Sequence, residues 1–308
     1  MDGGQTLLVI SFPSRTMRGK GDSLPHDATH LLAQTKRLLR EFGLHARKGL
    51  GQHFLIDAAA LDASVRAAEL EPTDTVVEVG PGLGVLTARL AESAGRVIAI
   101  ELDPAVASML SRRFSDSPRV TILTADILEL DLESLWSSSA KTPYKVVANL
   151  PFYIAAPTIR RFLEAPTKPT RMVIMVQREV AENICAGPGR LSILGLSVQF
   201  YGLPTVVRYV PARSFYPAPK VDSAIVRIDV YEHPPVEVPP EAFFRVVKAG
   251  FSAPRKQLRN SLAHGLGIPP AQAGAILDRA NVDPTRRAQT LSLKEWEAIV
   301  RVVGGELT

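Results

Sequence analysis

The chain has 308 residues, 46% of them apolar, and a formal net charge of +5. That length accommodates two domains, or one large domain with an appendage. The single cysteine, Cys185, excludes an internal disulfide and any multi-cysteine zinc site, so no metal is expected and a reducing, cytoplasmic home is favoured.

Residues 1–27 are rich in Gly, Ser, Pro and charge and read as a mobile N-terminal extension. Its apolar TLLVISF follows Asp2 rather than a basic cluster and makes a poor signal peptide. The basic SRTMRGKG keeps an organelle transit peptide open as the alternative location. No apolar run approaches the roughly 18 residues of a membrane span, so no membrane partner is expected. From Ala28 to Phe42, Leu31, Leu32, Leu38 and Leu39 recur at helical spacing. Asp57 reads as the N-cap of a helix running to about Leu70.

The middle of the chain alternates. Strand-like runs at 75–79, 96–101, 120–125, 145–149 and 171–177 are separated by helical stretches at 84–93, 104–114 and 156–164. Repeated strand–helix–strand units predict an α/β fold, a mostly parallel sheet with helices on both faces. Runs at 205–210 and 223–230 read as a hairpin-like pair closing one edge. After the proline-rich YEHPPVEVPP only helical patterns follow, at 241–251, 254–264, 271–280 and 292–302. The expected units are therefore an α/β domain over 28–232 and a small all-helical domain over 239–308.

Charge also divides unevenly along the chain. Residues 1–48 carry 8 Lys/Arg against 4 Asp/Glu, residues 49–204 carry 14 against 17, and residues 205–308 carry 14 against 10. Basic ends flanking an acidic middle suit a polyanionic partner such as nucleic acid, although scattered solvated charges give the same balance.

Within VVEVGPGLGVLTARL, Gly80, Gly82 and Gly84 stand at alternate positions between a strand and a helix. Such a junction lets backbone approach a nucleotide-like ligand beyond the carboxyl end of a strand. Alone it leaves NAD and S-adenosylmethionine open. Val85 stands where G-x-G-x-x-G needs its third glycine, which leans toward the latter. Glu101 ends the next strand, where a carboxylate can accept from a ribose diol. Asp126, just past the following strand, can accept from an adenine amine or simply cap residues 127–130. The fourth strand ends in Asn149-Leu150-Pro151-Phe152: an amide, a rigid turn and an aromatic face.

These motifs, VVEVGPGLG, IELD, TADIL and NLPF, resemble those of S-adenosylmethionine-dependent N6-adenine methyltransferases. KGLGQHFLID (48–57), FYPAPKVDSAIVRI (215–228), FSAPRKQLRNSL (251–262) and RAQTLSLKEW (287–296) are similar to the KsgA/RsmA family of rRNA adenine N6,N6-dimethyltransferases. The resemblance spans about Gln34 to Trp296. It implies a Rossmann-like methyltransferase sheet and dimethylation of two adjacent adenines near the 3′ end of small-subunit rRNA, with S-adenosylmethionine as methyl donor. Action on an assembling small subunit is expected with it, and no obligate protein partner is evident, so a monomer is expected.

By the same resemblance, His53, Leu55, Gly80, Gly82, Glu101, Asp126 and Asn149 contact the cofactor, and Asn149, Leu150, Pro151 and Phe152 form the catalytic turn. Asn149 and the Leu150 carbonyl would accept from N6–H, and Phe152 would stack on the flipped base. The family usually has asparagine at the His53 position and more often tyrosine at Phe152. Arg255, Lys256 and Arg259, spaced to share a helix face, would contact RNA phosphates with Arg47 and Lys48. Lys220 matches the family's PAPKVDS motif but is equally suited to domain packing. Two alternatives stay open: the related large-subunit methyltransferases of macrolide resistance, and a non-catalytic RNA-binding, ribosome-assembly or transcription-factor relative. A dehydrogenase is the third choice.

Overall fold

A computed structural model describes residues 28–43, 52–136 and 143–306. The 1–27 extension, Arg47 and Lys48 lie outside the described residues. The first part of the chain forms α1 (Ala28–Glu41), β1 (Phe54–Leu55), α2 (Ala58–Ala68), β2 (Thr75–Val79), α3 (Val85–Ser93), β3 (Arg96–Glu101), α4 (Pro104–Arg113) and β4 (Val120–Thr124). Then come β5 (Tyr144–Asn149), α5 (Ala155–Glu164), β6 (Arg171–Gln177), α6 (Arg178–Ile184), α7 (Ile193–Tyr201), β7 (Gly202–Val210), β8 (Phe215–Tyr216) and β9 (Ser223–Val230). Four helices end it: α8 (Pro240–Gly250), α9 (Leu258–Leu266), α10 (Pro270–Arg279) and α11 (Leu293–Glu306).

Seven strands make one sheet in the order β4-β3-β2-β5-β6-β9-β7. The five from β4 to β6 are parallel, and β9 and β7 run antiparallel at the edge where the sequence predicted a closing pair. The alternating pleat divides the core: Val77, Ile98, Val146 and Ile174 face one layer, while Val76, Val97, Val147 and Val173 face the other with α2 residues Ala60 and Leu61. All of these are essentially solvent-free.

Chain order reverses between β2 and β5. Their pairing is confined to Thr75↔Tyr144 through Val77↔Val146, whereas β2–β3 pairing continues to Val79↔Ile100 and β5–β6 pairing to Asn149↔Met175. The two central strands therefore part over their last residues and leave a crevice at their carboxyl ends, where open α/β sheets take their ligands.

Two helices, α6 and α7, fall in a stretch with no helical signal. In α7, Gly195, Leu196, Ser197, Val198, Phe200 and Tyr201 are all buried, so no polar face sets a 3.6-residue period. Phe200 packs on Phe243 and Phe244 of α8 at centroid distances of 4.8 and 5.2 Å, which makes one continuous core of the sheet and the C-terminal helices.

The expected helix over 254–264 begins later, at Leu258. The N–H groups of Leu258 and Arg259 donate to the carbonyls of Arg286 and Pro284, so a tertiary contact satisfies the first-turn donors and sets the start. Arg255 and Lys256 thus lie in the preceding turn and do not share a helix face with Arg259, although all three are exposed.

Candidate functional site

The crevice holds a cavity of about 340 Å³. His53, Leu55, Gly80, Gly82, Glu101, Asp126, Asn149, Leu150, Pro151 and Phe152 all line it, while Arg255, Lys256 and Arg259 do not. Residues separated by nearly a hundred positions are brought together because each sits at or just beyond the carboxyl end of a strand, or on or next to the short β1.

The glycine turn explains its own spacing. Gly80, Gly82 and Gly84 have φ of +66°, +55° and +75°, left-handed conformations that other residues adopt only at a cost. At Gly84 a Cβ would also come within 2.7 Å of Leu110 and 2.8 Å of Phe114, so the turn is pressed against α4. Arg113 of α4 donates to the Leu83 carbonyl at 2.5 Å, and α1 supports the arrangement through Leu38, which clusters with Leu83 and Leu110.

Two buried carboxyls lie behind this turn. Glu101 is 7% exposed, and its Oε1 accepts from the Asp103 N–H at 2.9 Å. Burial pushes its pKa up, offset in part by backbone N–H groups of Asp103, Gly82 and Leu102. Glu78, inside β2, was not singled out from sequence. It is 2% exposed, lines the cavity, and its Oε2 finds no hydrogen-bond partner among the described residues. Burial pushes its pKa up to about 8; Thr87, close by but outside good hydrogen-bond geometry, offsets this only in part, and the Glu101 charge adds to it. An acidic residue interrupting a β-branched strand was the available signal, since a buried carboxyl without a structural partner marks a functional site.

At Asp126 both sequence readings meet. Its Oδ1 accepts from the Leu128 N–H at 2.8 Å, a capping bond, yet the residue also lines the cavity. On the opposite side, the Leu150 N–H donates to the Met175 carbonyl and the Ile154 N–H to the Pro151 carbonyl, which shape the Asn149–Phe152 turn. The Asn149 side chain makes no hydrogen bond to another described residue, so its amide remains available to a ligand. Phe152 is half-buried and Tyr153 beside it is 54% exposed, an aromatic lip on the cavity.

His53 reaches this lip through long-range pairing. Strand β1 pairs antiparallel with β8, Phe54 opposite Tyr216 and Leu55 opposite Phe215. The junction is reinforced by Ser214, whose hydroxyl donates to Asp57 Oδ2 while Asp57 Oδ1 caps α2 at the Ala60 N–H. Among the described residues no cluster of three or more His, Cys, Asp or Glu could hold a metal ion, and no helix is long and apolar enough to cross a membrane.

Known proteins resemble the chain over most of its length. A relative from Dehalococcoides mccartyi, named Ribosomal RNA small subunit methyltransferase A, is 48% identical over 273 residues, 88% of this chain and 93% of the relative. One of the same name from Desulfitobacterium hafniense is 44% identical, covering 87% and 96%. Among solved structures, the 23S rRNA methyltransferase ErmE is 28% identical with a TM-score of 0.65, covering 82% of this chain and 99% of that one. A dimethyladenosine transferase from Plasmodium falciparum, 23% identical with a TM-score of 0.71 and covering 82% and 98%, shares the fold. The family model described as Ribosomal RNA adenine dimethylase matches residues 43–299, which takes in the glycine turn, both buried carboxyls and the Asn149–Phe152 turn. By that match and these identities, the chain belongs to the ribosomal RNA adenine dimethylase family.

Proposed function

We propose that this protein dimethylates N6 of two adjacent adenines near the 3′ end of small-subunit rRNA, using S-adenosylmethionine, during small-subunit biogenesis. The observation that carries the reading is the meeting of the glycine turn, Glu101, Asp126 and the Asn149–Phe152 turn around one cavity. The small-subunit relatives, at 44–48% identity over nearly their whole length, support the substrate. ErmE, at 28%, supports large-subunit rRNA as a second reading.

The residues present fit the cofactor. A cavity of about 340 Å³ lies in the range of small-molecule sites, and the orphaned Glu78 Oε2 and buried Glu101 suit a polar, ribose-bearing ligand that can complete their hydrogen bonds. When bound, S-adenosylmethionine supplies a methyl group on a positively charged sulfur, already electrophilic. Glu101 would take the ribose hydroxyls, and Asp126 would take the adenine amine with Oδ2, since Oδ1 caps the Leu128 N–H. Leu55 would line the cofactor side, with His53 beside it at the aromatic lip, and Gly80 and Gly82 would let backbone approach the methionine moiety.

On the acceptor side, the adenine N6 lone pair is delocalised into the ring. Asn149 Oδ1 and the Leu150 carbonyl would accept from N6–H, which favours a pyramidal nitrogen with its lone pair free to attack. Pro151 restricts the turn's backbone and Phe152 would stack on the base once it leaves its helix. Arg255, Lys256 and Arg259, exposed around the start of α9, would contact phosphates, with Arg47 and Lys48 in the same role. On this reading residues 239–308 form an RNA-contacting unit beside a methyltransferase unit at 28–232, and the protein works in the cytoplasm as a monomer on an assembling particle.

The test is transfer of labelled methyl groups to small ribosomal subunits lacking these methylations, then mapping of the modified bases. Two neighbouring dimethyladenines near the 3′ end are expected. Label confined to large-subunit RNA would favour the second reading, and no transfer by folded, cofactor-binding protein would favour a non-catalytic role.

A further inference from the structure

Two of the cavity-lining residues, His53 and Phe152, touch each other. They are 99 residues apart in the chain, yet their ring centroids lie 5.9 Å apart with planes inclined at 28°, within the range of an offset aromatic stack. The imidazole is held on its other side: Nδ1 lies 2.7 Å from the carbonyl oxygen of Pro217. A carbonyl can only accept, so Nδ1 carries the proton and His53 donates.

Pro217 is itself well anchored. It follows β8, which pairs with β1, and the Ile56 N–H donates to the Ser214 carbonyl at 2.8 Å. Lys36 of α1 lies 5.3 Å over the Tyr216 ring, so the segment is also clasped from outside. A continuous path of contacts thus runs from the β8 segment through the imidazole to the phenyl ring beside Asn149.

We infer that His53 is a positioning residue for base capture: hydrogen-bonded to the Pro217 carbonyl, it braces the Phe152 ring in the orientation that receives the target adenine. The inference rests on the proposed stacking role of Phe152 and differs from a direct cofactor contact by His53. A phenyl ring has no hydroxyl with which to fix itself by hydrogen bonding, and the neighbouring imidazole supplies the restraint by stacking. Asparagine at 53 can still donate to Pro217 but offers no ring.

Single-turnover methyl transfer to unmethylated small subunits should be compared for His53→Asn, Phe152→Leu and the double variant, with S-adenosylhomocysteine affinity measured for each by calorimetry. His53→Asn should lower transfer at subsaturating RNA roughly two- to tenfold, the worth of one aromatic pair, and leave S-adenosylhomocysteine affinity unchanged. In the Phe152→Leu background the same substitution should do nothing further, because the ring it braces is gone. Additive losses, or weakened S-adenosylhomocysteine binding by His53→Asn, would return His53 to the cofactor and overturn the inference while leaving the stacking role of Phe152 intact. A silent Phe152→Leu would remove the stacking role and the inference with it. Nitrogen-15 shifts of the imidazole give an independent check: an Nε2–H tautomer would contradict the Pro217 bond.

Discussion

The two walls of the cavity are built from different chemistry. The wall at the ends of β2, β3 and β4 is backbone and buried carboxyl: Glu78 and Glu101 are 2% and 7% exposed, and the glycine turn presses on α4. The wall at the end of β5, with β1 beside it, is aromatic and open: Phe152 is half-buried, His53 stacks on it, and Tyr153 is 54% exposed. A rigid, desolvated wall of buried carboxyls suits a small polar ligand that must be held in one pose. An open aromatic wall suits a flat base that arrives on a large substrate and leaves again. The methyl group has to cross from the first to the second, so the two walls should fail in different ways.

The sharpest break between them is at Asn149. If its amide oxygen orients the N6 lone pair, that interaction is strongest in the transition state, so Asn149→Ala should slow single-turnover transfer roughly a hundredfold or more, at both adenines. A folded variant that transfers at the parental rate would make the Asn149–Phe152 turn architectural. Glu101→Ala should instead weaken cofactor binding by about 1.5–3 kcal/mol and spare RNA binding, as expected for losing hydrogen bonds to a charged acceptor. Unchanged S-adenosylmethionine affinity by calorimetry would refute the ribose role and blur the distinction between the walls.

The acidic wall should also have a pH signature. Below about pH 4.5, the ordinary carboxyl value, Glu78 is protonated whether the chain is folded or not and contributes no pH dependence. From there to about 8 the unfolded chain releases a proton that the folded chain keeps, so stability falls as pH rises. The slope from this group is at most about 1.4 kcal/mol per pH unit. Denaturation of cofactor-free protein between pH 5 and 8 should show this decline, and Glu78→Gln should flatten it. Parallel curves for parent and variant would show that the carboxyl is not held protonated. The smallest effect on either wall should come from the exposed basic residues near α9. Replacing Arg255, Lys256 and Arg259 with alanine should lower the salt dependence of RNA binding by roughly two to three logarithmic units of slope if all three hold phosphates. Cofactor affinity should not change; an unaltered salt slope would leave them as ordinary solvated charges.

Much of this molecule is local in origin and hence legible in its sequence. The runs at 75–79, 96–101, 171–177 and 223–230 form strands with those same bounds, because short apolar runs rich in β-branched residues and bounded by turn residues fit a buried, pleated surface. The glycine turn, Glu101, Asp126 and Asn149 could be read because a parallel sheet places the end of each strand at one rim. What the sequence could not show depends on contacts between distant segments. The start of α9 is decided by carbonyls of Pro284 and Arg286, and α7 hides its helical period because its buried residues, Gly195 to Val198 among them, fall on more than one face. Glu78 shows itself only through the loss of water and partners around it. The contact of His53 with Phe152 exists because β1 pairs with β8, 164 residues separating the imidazole from the Pro217 carbonyl it binds. Strand and turn signals are carried by neighbours along the chain, whereas desolvation, helix starts set by remote acceptors and ring contacts across a sheet are decided only when the chain has closed on itself.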